Sequence, residues 1–530
     1  MTIKVTRMDN NETTYTLPEG WIWTTIGEIG IISSGGTPDR NNYNFYNGKI
    51  PWVKSGELNQ GIILNTEEHI SEEALVNSNA KILPPKALLI ALYGATVGKL
   101  AILGIPATTN QAVAGIISPT IDSRFLYYYF NRNREKLLSQ RKGGAQPNIS
   151  QKVIRDFPLP LPPLSEQDRI LSKIEELFSE LDHAEAGLKK AQKQLAIYKQ
   201  ALLKNAFEGK LTEKWRGEND LLKKNNWRKA TIGEYSKFIG SGSTPKGGRN
   251  VYSNKGIPFI RSLNIHTNYF SKDDLAYISE KIHLNMSRTH TQPNDVLLTI
   301  TGASIGRCAY IPQSIRIGNV NQHVCIIRVR AEEVLYQYLT FYLNSPEAQI
   351  IINRINSGAT REALTLSQIK DFVFPLCPLI EQDQIVQELE SKFTLIENLE
   401  NSILLSYQRI KTFRQAILKK AFEGKLMDQS QIDEPAGVLL ERILIEKKNY
   451  LGKTIQNSAT KIKIMKKRTL SETLDENFVG KEFSFDEIKS KTFLSYEELK
   501  NELYSLLDEG KFLETVFNEK LQKIQFKLKS

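Results

Sequence analysis

The chain has 530 residues, 40% of them apolar and 24% charged, the make-up of a globular protein too long for one core and divided into three or four units. Lys and Arg outnumber Asp and Glu by 70 to 59, and the resulting net charge of +11 suits either a polyanionic partner or an ordinary basic surface. Met1–Tyr15 is too polar for a signal peptide, the apolar run Ala87–Val97 is too short to span a bilayer, and neither Cys308, Cys325 and Cys377 nor the six histidines show disulfide or metal-ligand spacing.

Taken in chain order, the first elements announce a duplication. Thr25-Ile26-Gly27-Glu28 recurs as Thr231-Ile232-Gly233-Glu234, an offset of 206 residues. Gly36-Thr37-Pro38 returns as Ser243-Thr244-Pro245, and Ile50-Pro51-Trp52-Val53-Lys54 as Ile257-Pro258-Phe259-Ile260-Arg261. Apolar runs at Leu88–Leu92 and Ala112–Ile117 read as strands, with counterparts at Val296–Ile300 and Val324–Val329. Between them Gly94-Ala95-Thr96-Val97-Gly98-Lys99 is matched by Gly302-Ala303-Ser304-Ile305-Gly306-Arg307, and Asn110-Gln111 by Asn321-Gln322. The aromatic segments Phe125–Phe130 and Tyr338–Leu343 read as buried helix. Each mixed domain leaves through a proline-rich exit, Phe157–Pro163 and Phe374–Pro378, where the prolines stop the preceding element and stiffen the link.

After each exit comes an apolar seam at alternating steps of four and three. In the first copy it comprises Ile170, Ile174, Leu177, Leu181, Ala184, Leu188, Ala191, Leu195, Tyr198 and Leu202. In the second it comprises Ile385, Leu389, Ile396, Leu399, Ile403, Ile410, Phe413 and Ile417, interrupted at Lys392 and Ser406. Helices of roughly 40 residues would be about 60 Å long. Both close on Ala-Phe-Glu-Gly-Lys-Leu, at Ala206–Leu211 and Ala421–Leu426, an offset of 215 residues, so the two seams are expected to bury one another within the chain. An intermolecular coiled coil is the alternative. In the tail, Lys461, Lys463, Lys466, Lys467 and Arg468 suggest a solvated linker, Phe485–Ser490 and Tyr496–Leu507 suggest helices, and Phe512–Leu528 alternates like a hairpin.

The opening Leu17-Pro18-Glu19-Gly20-Trp21, the phrase Pro158–Gln167, the repeated Ala-Phe-x-Gly-x-Leu, the link Leu211–Asn219 and the segment Glu434–Ile443 together resemble the specificity subunits of Type I restriction–modification enzymes. The resemblance covers about residues 17–446 and is specific as an ordered set. It implies an α+β fold in which two mixed α/β target-recognition domains are separated by a long antiparallel, coiled-coil-like helix pair. The tail from residue 447 lies beyond the resemblance; by its own pattern it reads as a C-terminal helical, winged-helix-like extension that could bind DNA, bind a partner subunit or merely cap the fold. The implied division is a flexible N-terminus at 1–16, recognition domain 1 at 17–163, spacer helix 1 at 164–211 and a linker at 212–226. Recognition domain 2 follows at 227–378, spacer helix 2 at 379–427, a short helix with basic linker at 428–468 and the extension at 469–530.

The function implied is a non-catalytic, cytoplasmic subunit that binds double-stranded DNA at two separated half-sites, with no membrane association. Its implied partners are two methyltransferase subunits and two restriction subunits, which use S-adenosylmethionine, ATP and Mg; the chain itself is expected to hold no cofactor or metal. Because the two domains differ in sequence, the half-sites should be unlike, whereas identical halves would read a palindrome. A coiled-coil scaffold that reads no sequence is the competing reading, and an enzyme with an unrecognised active site is a third. Against the third, no Asn-Pro-Pro-Tyr-type motif, glycine-rich cofactor loop or paired-carboxylate nuclease pattern is present.

Candidate DNA contacts follow from residue chemistry. Gly94–Lys99 lacks the spacing and the following Ser or Thr of a phosphate loop, so it reads as a tight turn carrying Thr96 and Lys99, matched by Ser304 and Arg307. Lys54 and Arg261 follow matched strands, and Gln111 and Gln322 could pair with adenine as Arg does with guanine. Arg141, Lys142 and Arg361 lie in glycine-flanked basic segments suited to phosphate contact. Each of these also fits a plain surface role, and the Ser33–Pro38 and Ser241–Pro245 loops fit either a turn or a close backbone approach to DNA.

Overall fold

The computed structural model describes residues 15–59, 61–141, 148–219, 227–356, 363–465, 470–492, 496–508, 513–518 and 523–528. The expectations for most of the N-terminus, for Lys142, Arg361, Lys466, Lys467 and Arg468, and for part of the 212–226 linker and the C-terminal hairpin lie outside these residues. The chain divides into two compact units, residues 1–178 with 414–530 and residues 179–413.

In the first unit, apolar runs with β-branched and aliphatic side chains form a five-stranded sheet. Its spatial order is Ile31–Ser34, Val113–Ile117, Leu88–Ala91, Leu100–Leu103, Gly61–Ile63. Leu88–Ala91 is buried on both faces, with Leu88 and Ile90 packed toward the helical side and Leu89 and Ala91 toward the other. A smaller sheet, Glu68–Ile70, Ile50–Val53, Thr108–Thr109, packs around Trp52. The second unit repeats the plan with a four-stranded sheet ordered Ser236–Ser241, Val324–Val329, Val296–Thr299, Cys308–Tyr310. The aromatic segments are helices, Ser123–Arg132 and Tyr336–Leu343. All three cysteines are free and buried; burial pushes the thiols of Cys325 and Cys377 up to about 12 and raises that of Cys308.

The proline-rich exits are not mere stops. Pro158–Leu161 pairs antiparallel with Ile22–Thr25, and Val373–Leu376 pairs with Arg228–Thr231, so each exit closes its domain onto its own entrance. In a two-stranded ribbon a proline can occupy a position whose missing N–H faces away from the partner, which makes this strand tolerable.

The two long helices are of equal length, Leu164–Phe207 and Leu379–Phe422, each of 44 residues and so about 66 Å long. In the first unit Ile170 and Ile174 are buried with Leu418, Ala421 and Phe422. In the second, Leu202, Leu203 and Phe207 are buried with Ile385, Leu389 and Ile396. Within each unit, then, the start of one helix lies against the end of the other, and the packing is antiparallel. Leu177, Leu181, Leu188, Leu195, Ile403 and Ile417 are half-buried, and Ile410 is buried. Leu399 and Phe413, expected in the seam, are instead 44% and 56% exposed. Where Ser406 interrupts the pattern, a gap of about 390 Å³ opens beside Leu195, Tyr198 and Leu399.

Beyond the second long helix the expected short helix and basic linker are one helix, Ala436–Met465, which runs on through Lys461 and Lys463. The lysines there are good helix formers, so a run of positive charge need not break it. The 212–226 linker likewise contains a short helix, Glu213–Glu218.

Candidate nucleic-acid interface

Each domain is locked to the start of its long helix by the same pair of side chains. The Trp21 indole donates to the buried Glu166 carboxylate at 2.9 Å, and the Trp227 indole donates to Glu381 at 3.0 Å. The neighbouring glutamines, Gln167 and Gln382, donate to the Pro162 and Cys377 carbonyls at 2.9 and 2.8 Å, capping the exit. Segments that follow the opposite helix complete the lock. Asp433 pairs with Arg169 at 2.6 Å and accepts from Ser165 at 2.7 Å, while Glu381 accepts from Thr212 at 2.7 Å and pairs with Arg216. These contacts explain the Glu-Gln of the repeated motif as an anchor for the domain, not as a reactive site.

On the anchored first domain, the strand ends and turns surround an open polar cleft of about 700 Å³. Its wall is formed by Ser33 and Ser34, Tyr93, Gln111, Lys81 and Lys152. Gln111 is exposed at the turn entering Val113–Ile117, whose backbone is fixed by Val113 N–H donating to the Asn110 carbonyl at 3.1 Å. Tyr93 is 44% exposed and continues the strand Leu88–Ala91 to the rim. The backbone of Gly35 is held there by donating to Val113 O at 3.1 Å. A Cβ on Gly35 would come within 2.0 Å of the Thr109 carbonyl oxygen, so only glycine lets the loop lie this close.

The second domain has the same backbone frame. Gly242 N–H donates to Val324 O at 2.9 Å as Gly35 does to Val113, and Leu364 N–H donates to Ile300 O at 2.9 Å as Ile149 does to Leu92. Short helices capped by Ser150 and Thr365 close both frames. The side chains on it differ. Thr301 stands two residues past its strand where Tyr93 stands, and its hydroxyl hydrogen-bonds His323, which follows Gln322. The position corresponding to Lys152, two residues beyond the cap, is Ser367.

The glycine turns are also alike. Gly94 and Gly98 have φ of +69° and +75°, Gly302 and Gly306 +78° and +84°. Each turn leads into a strand, Leu100–Leu103 or Cys308–Tyr310, so neither has the helix N-terminus that a phosphate loop requires. Thr96 and Lys99 lie half-exposed on the first turn, Ser304 half-exposed and Arg307 exposed on the second.

Other candidates fall into different surroundings. Lys54 is held by Glu67 at 2.8 Å and Glu68 at 3.0 Å, bonds that raise its pKa, so its charge is already matched within the domain. Arg261 donates to the Asp274 carbonyl and lies over the Tyr252 ring at 5.8 Å. Both act as internal ties in the structure. Arg141 is exposed, its guanidinium donating to Leu138 O at 2.7 Å. Gln322 is exposed at the turn matching that of Gln111. Sequence reasoning missed Tyr93, Lys81, Lys152, Thr301 and His323. Three of these had an available signal, since Tyr93 and Thr301 directly precede the two copies of the glycine turn and His323 directly follows the repeated Asn-Gln.

The described residues contain no cluster of His, Cys, Asp and Glu able to hold a metal ion, and no helix long and apolar enough to cross a membrane. Serine hydroxyls, a carboxamide, an exposed ring and lysines suit hydrogen bonding to base edges, stacking and phosphate contact.

Comparisons with known proteins agree with this architecture. The specificity subunit of the Type I restriction enzyme EcoKI of Escherichia coli K12 is 26% identical over 462 residues, covering 82% of this chain and 97% of that protein. The specificity subunit of MjaIX from Methanocaldococcus jannaschii is 24% identical, covering 77% and 94%. Among solved structures, a chain from a type I R-M system assembly is similar with a TM-score of 0.62 at 21% identity, covering 78% of this chain and all of that one. The HsdS subunit of Thermoanaerobacter tengcongensis is similar with a TM-score of 0.51 at 20% identity, covering 78% and 99%. Both likenesses concern the fold. The family model of the Type I restriction modification DNA specificity domain matches twice, at residues 18–191 and 224–405, and with two thirds of its length so matched this chain belongs to that family.

Proposed function

We propose that this chain is the DNA-reading subunit of a Type I restriction–modification complex and that each domain's cleft reads one half of a split target. The observation that carries this reading is the repeated frame: one backbone arrangement, built twice, presents unlike side chains. A frame conserved between the copies with variable rim residues is what reading two different half-sites requires. Gln111 and Gln322 are placed to address base edges, and Lys81, Lys99, Lys152 and Arg307 to address phosphates. The long helices serve as the spacer between half-sites.

In this reading the chain is not itself an enzyme and holds no cofactor. Two methyltransferase subunits and two restriction subunits supply the chemistry with S-adenosylmethionine, ATP and Mg, and the complex works in the cytoplasm. The exposed Ile197, Leu395, Leu404 and Leu405 on the long helices, at 54–69% exposure, are the apolar surface on which the methyltransferase subunits would sit. To test the reading, the chain is purified with its methyltransferase subunit and used to select from a random DNA pool. One split sequence with unlike halves is expected. A palindrome would overturn the assignment of unlike half-sites, and no enrichment from an active complex would overturn the reading in favour of a scaffold.

A further inference from the structure

The family match ends at residue 405, but the chain goes on to build a separate small module with its own core. Its order is helix Leu470–Phe478, strand Glu482–Phe483, helices Phe485–Lys491 and Tyr496–Asp508, and strands Leu513–Asn518 and Lys523–Leu528. The last strand lies in the middle of the sheet, between Glu482–Phe483 and Leu513–Asn518. Leu474, Phe483, Ile488, Leu499, Leu503 and Leu513 are buried at its centre. This is the winged-helix arrangement, in which Tyr496–Asp508 stands where the recognition helix of a helix-turn-helix protein would enter DNA.

The charge on that helix has the wrong sign for DNA. Glu497, Glu498, Glu502 and Asp508 are exposed on it against the single half-exposed Lys500. Residues 470–528 carry thirteen carboxylates and eight lysines, net −5, in a chain of net +11. DNA binding rests on matching phosphates with cations, so this surface repels a duplex.

One flank of this helix is apolar. A groove of about 260 Å³ runs between the helix and the hairpin, lined by Phe485, Tyr496, Tyr504, Leu507, Ile524 and Phe526, with Lys500 the one charged side chain on its wall. Tyr496, Tyr504 and Ile524 are 59%, 57% and 67% exposed. Phe517, directly opposite Ile524 in the hairpin and 60% exposed, continues the strip beyond the helix. Apolar anchors on a module of net −5 match a segment whose apolar side chains are flanked by Lys or Arg.

We propose that this winged helix is a protein-docking module, and that its groove takes a basic amphipathic segment of a partner protein rather than DNA. The inference is independent of what the two domains read.

The test uses the full chain and a labelled synthetic peptide with leucines at helical i, i+4 spacing and lysines on either side of the stripe. A scrambled peptide of equal charge is the control. Anisotropy should show saturable binding of the patterned peptide, at least tenfold tighter than the scrambled one. Ile524→Asp and, separately, Glu497→Lys should each weaken it tenfold or more. Both positions are exposed, and unchanged thermal unfolding would confirm that the variants fold. Affinity for the selected DNA target should be unaltered by either variant. Equal binding of the two peptides, or indifference to both substitutions, would overturn the proposal. So would a loss of DNA affinity in Ile524→Asp, which would make the module a DNA contact. Concentration-dependent self-association abolished by that substitution would overturn it too, by giving the groove to a second copy of the chain.

Discussion

The Trp21 indole and the Glu166 carboxylate, 145 residues apart in sequence, meet at 2.9 Å inside the first unit, and Trp227 and Glu381 repeat the bond in the second. A buried indole N–H satisfied by a buried carboxylate fixes each domain's entrance to the first turn of its helix. Glu166→Ala should cost about 1–3 kcal/mol by leaving the indole unpaired, while Glu166→Gln keeps an acceptor and should cost less. Glu381→Ala should cost more than Glu166→Ala, because it also strands Arg216 and Thr212. Thermal unfolding of the three variants gives the order.

Phe422 ends the second long helix, yet its ring packs edge-on against Phe125 and Tyr129 of the first domain, with centroids 5.1 Å away in each case. Phe207 ends the first helix and packs in the same way on Tyr338 and Tyr342. Replacing either Phe with Ala should cost about 3–5 kcal/mol. Hydrogen exchange should rise around Ser123–Arg132 in Phe422→Ala and around Tyr336–Leu343 in Phe207→Ala. Loosening confined to the substituted helix itself would argue against this cross-anchoring.

The bonds from Arg169 and Ser165 hold the Asp433 carboxyl below its ordinary value of 3.8. A lowered folded-state pKa means that this stabilisation is present in full above the ordinary value and is lost as pH falls through the lowered one. The advantage of the native chain over Asp433→Asn in unfolding temperature should therefore be constant near neutrality and shrink below about pH 4. An advantage that is unchanged down to pH 3 would contradict the pairing.

Lys54 and Lys152 provide a contrast between a tied and a cleft-lining cation. Lys152→Ala should weaken binding to all sequences and reduce the salt-dependence slope by about 0.9, the value for one phosphate contact. Lys54→Ala should leave DNA affinity unchanged and instead lower stability, since Glu67 and Glu68 lose their shared partner. Salt titrations of DNA binding and thermal unfolding separate the two effects.

That contrast also shows what the sequence could and could not reveal. The duplication, the central strands such as Leu88–Ala91 and the heptad helices were legible, because burial on one face imposes a period that survives divergence. Leu399 and Phe413 kept that period yet lie exposed, since a periodic apolar face records that something covers it and not what. Lys54 read as a DNA contact because its partners are brought to it by strand pairing that one-dimensional spacing does not display. Tyr93 and His323 went unmarked because neither is repeated, and a residue present in one copy alone leaves no match between the two. In the tail, the helix Leu470–Phe478 and the short strand Glu482–Phe483 were invisible; two residues of alternation carry no signal, and tertiary pairing with Lys523–Leu528 makes the strand.

The most direct test of the central claim is single-molecule methylation sequencing of DNA from cells making the methyltransferase subunit with either the native chain or Gln111→Ala. The account predicts one split motif with unlike halves in the native case, and relaxed specificity at positions within a single half in the variant, with the other half unchanged. Changes in both halves, or an identical motif with Gln111→Ala and with a chain whose residues 227–378 have been exchanged for those of a relative, would contradict the assignment of one cleft to each half-site.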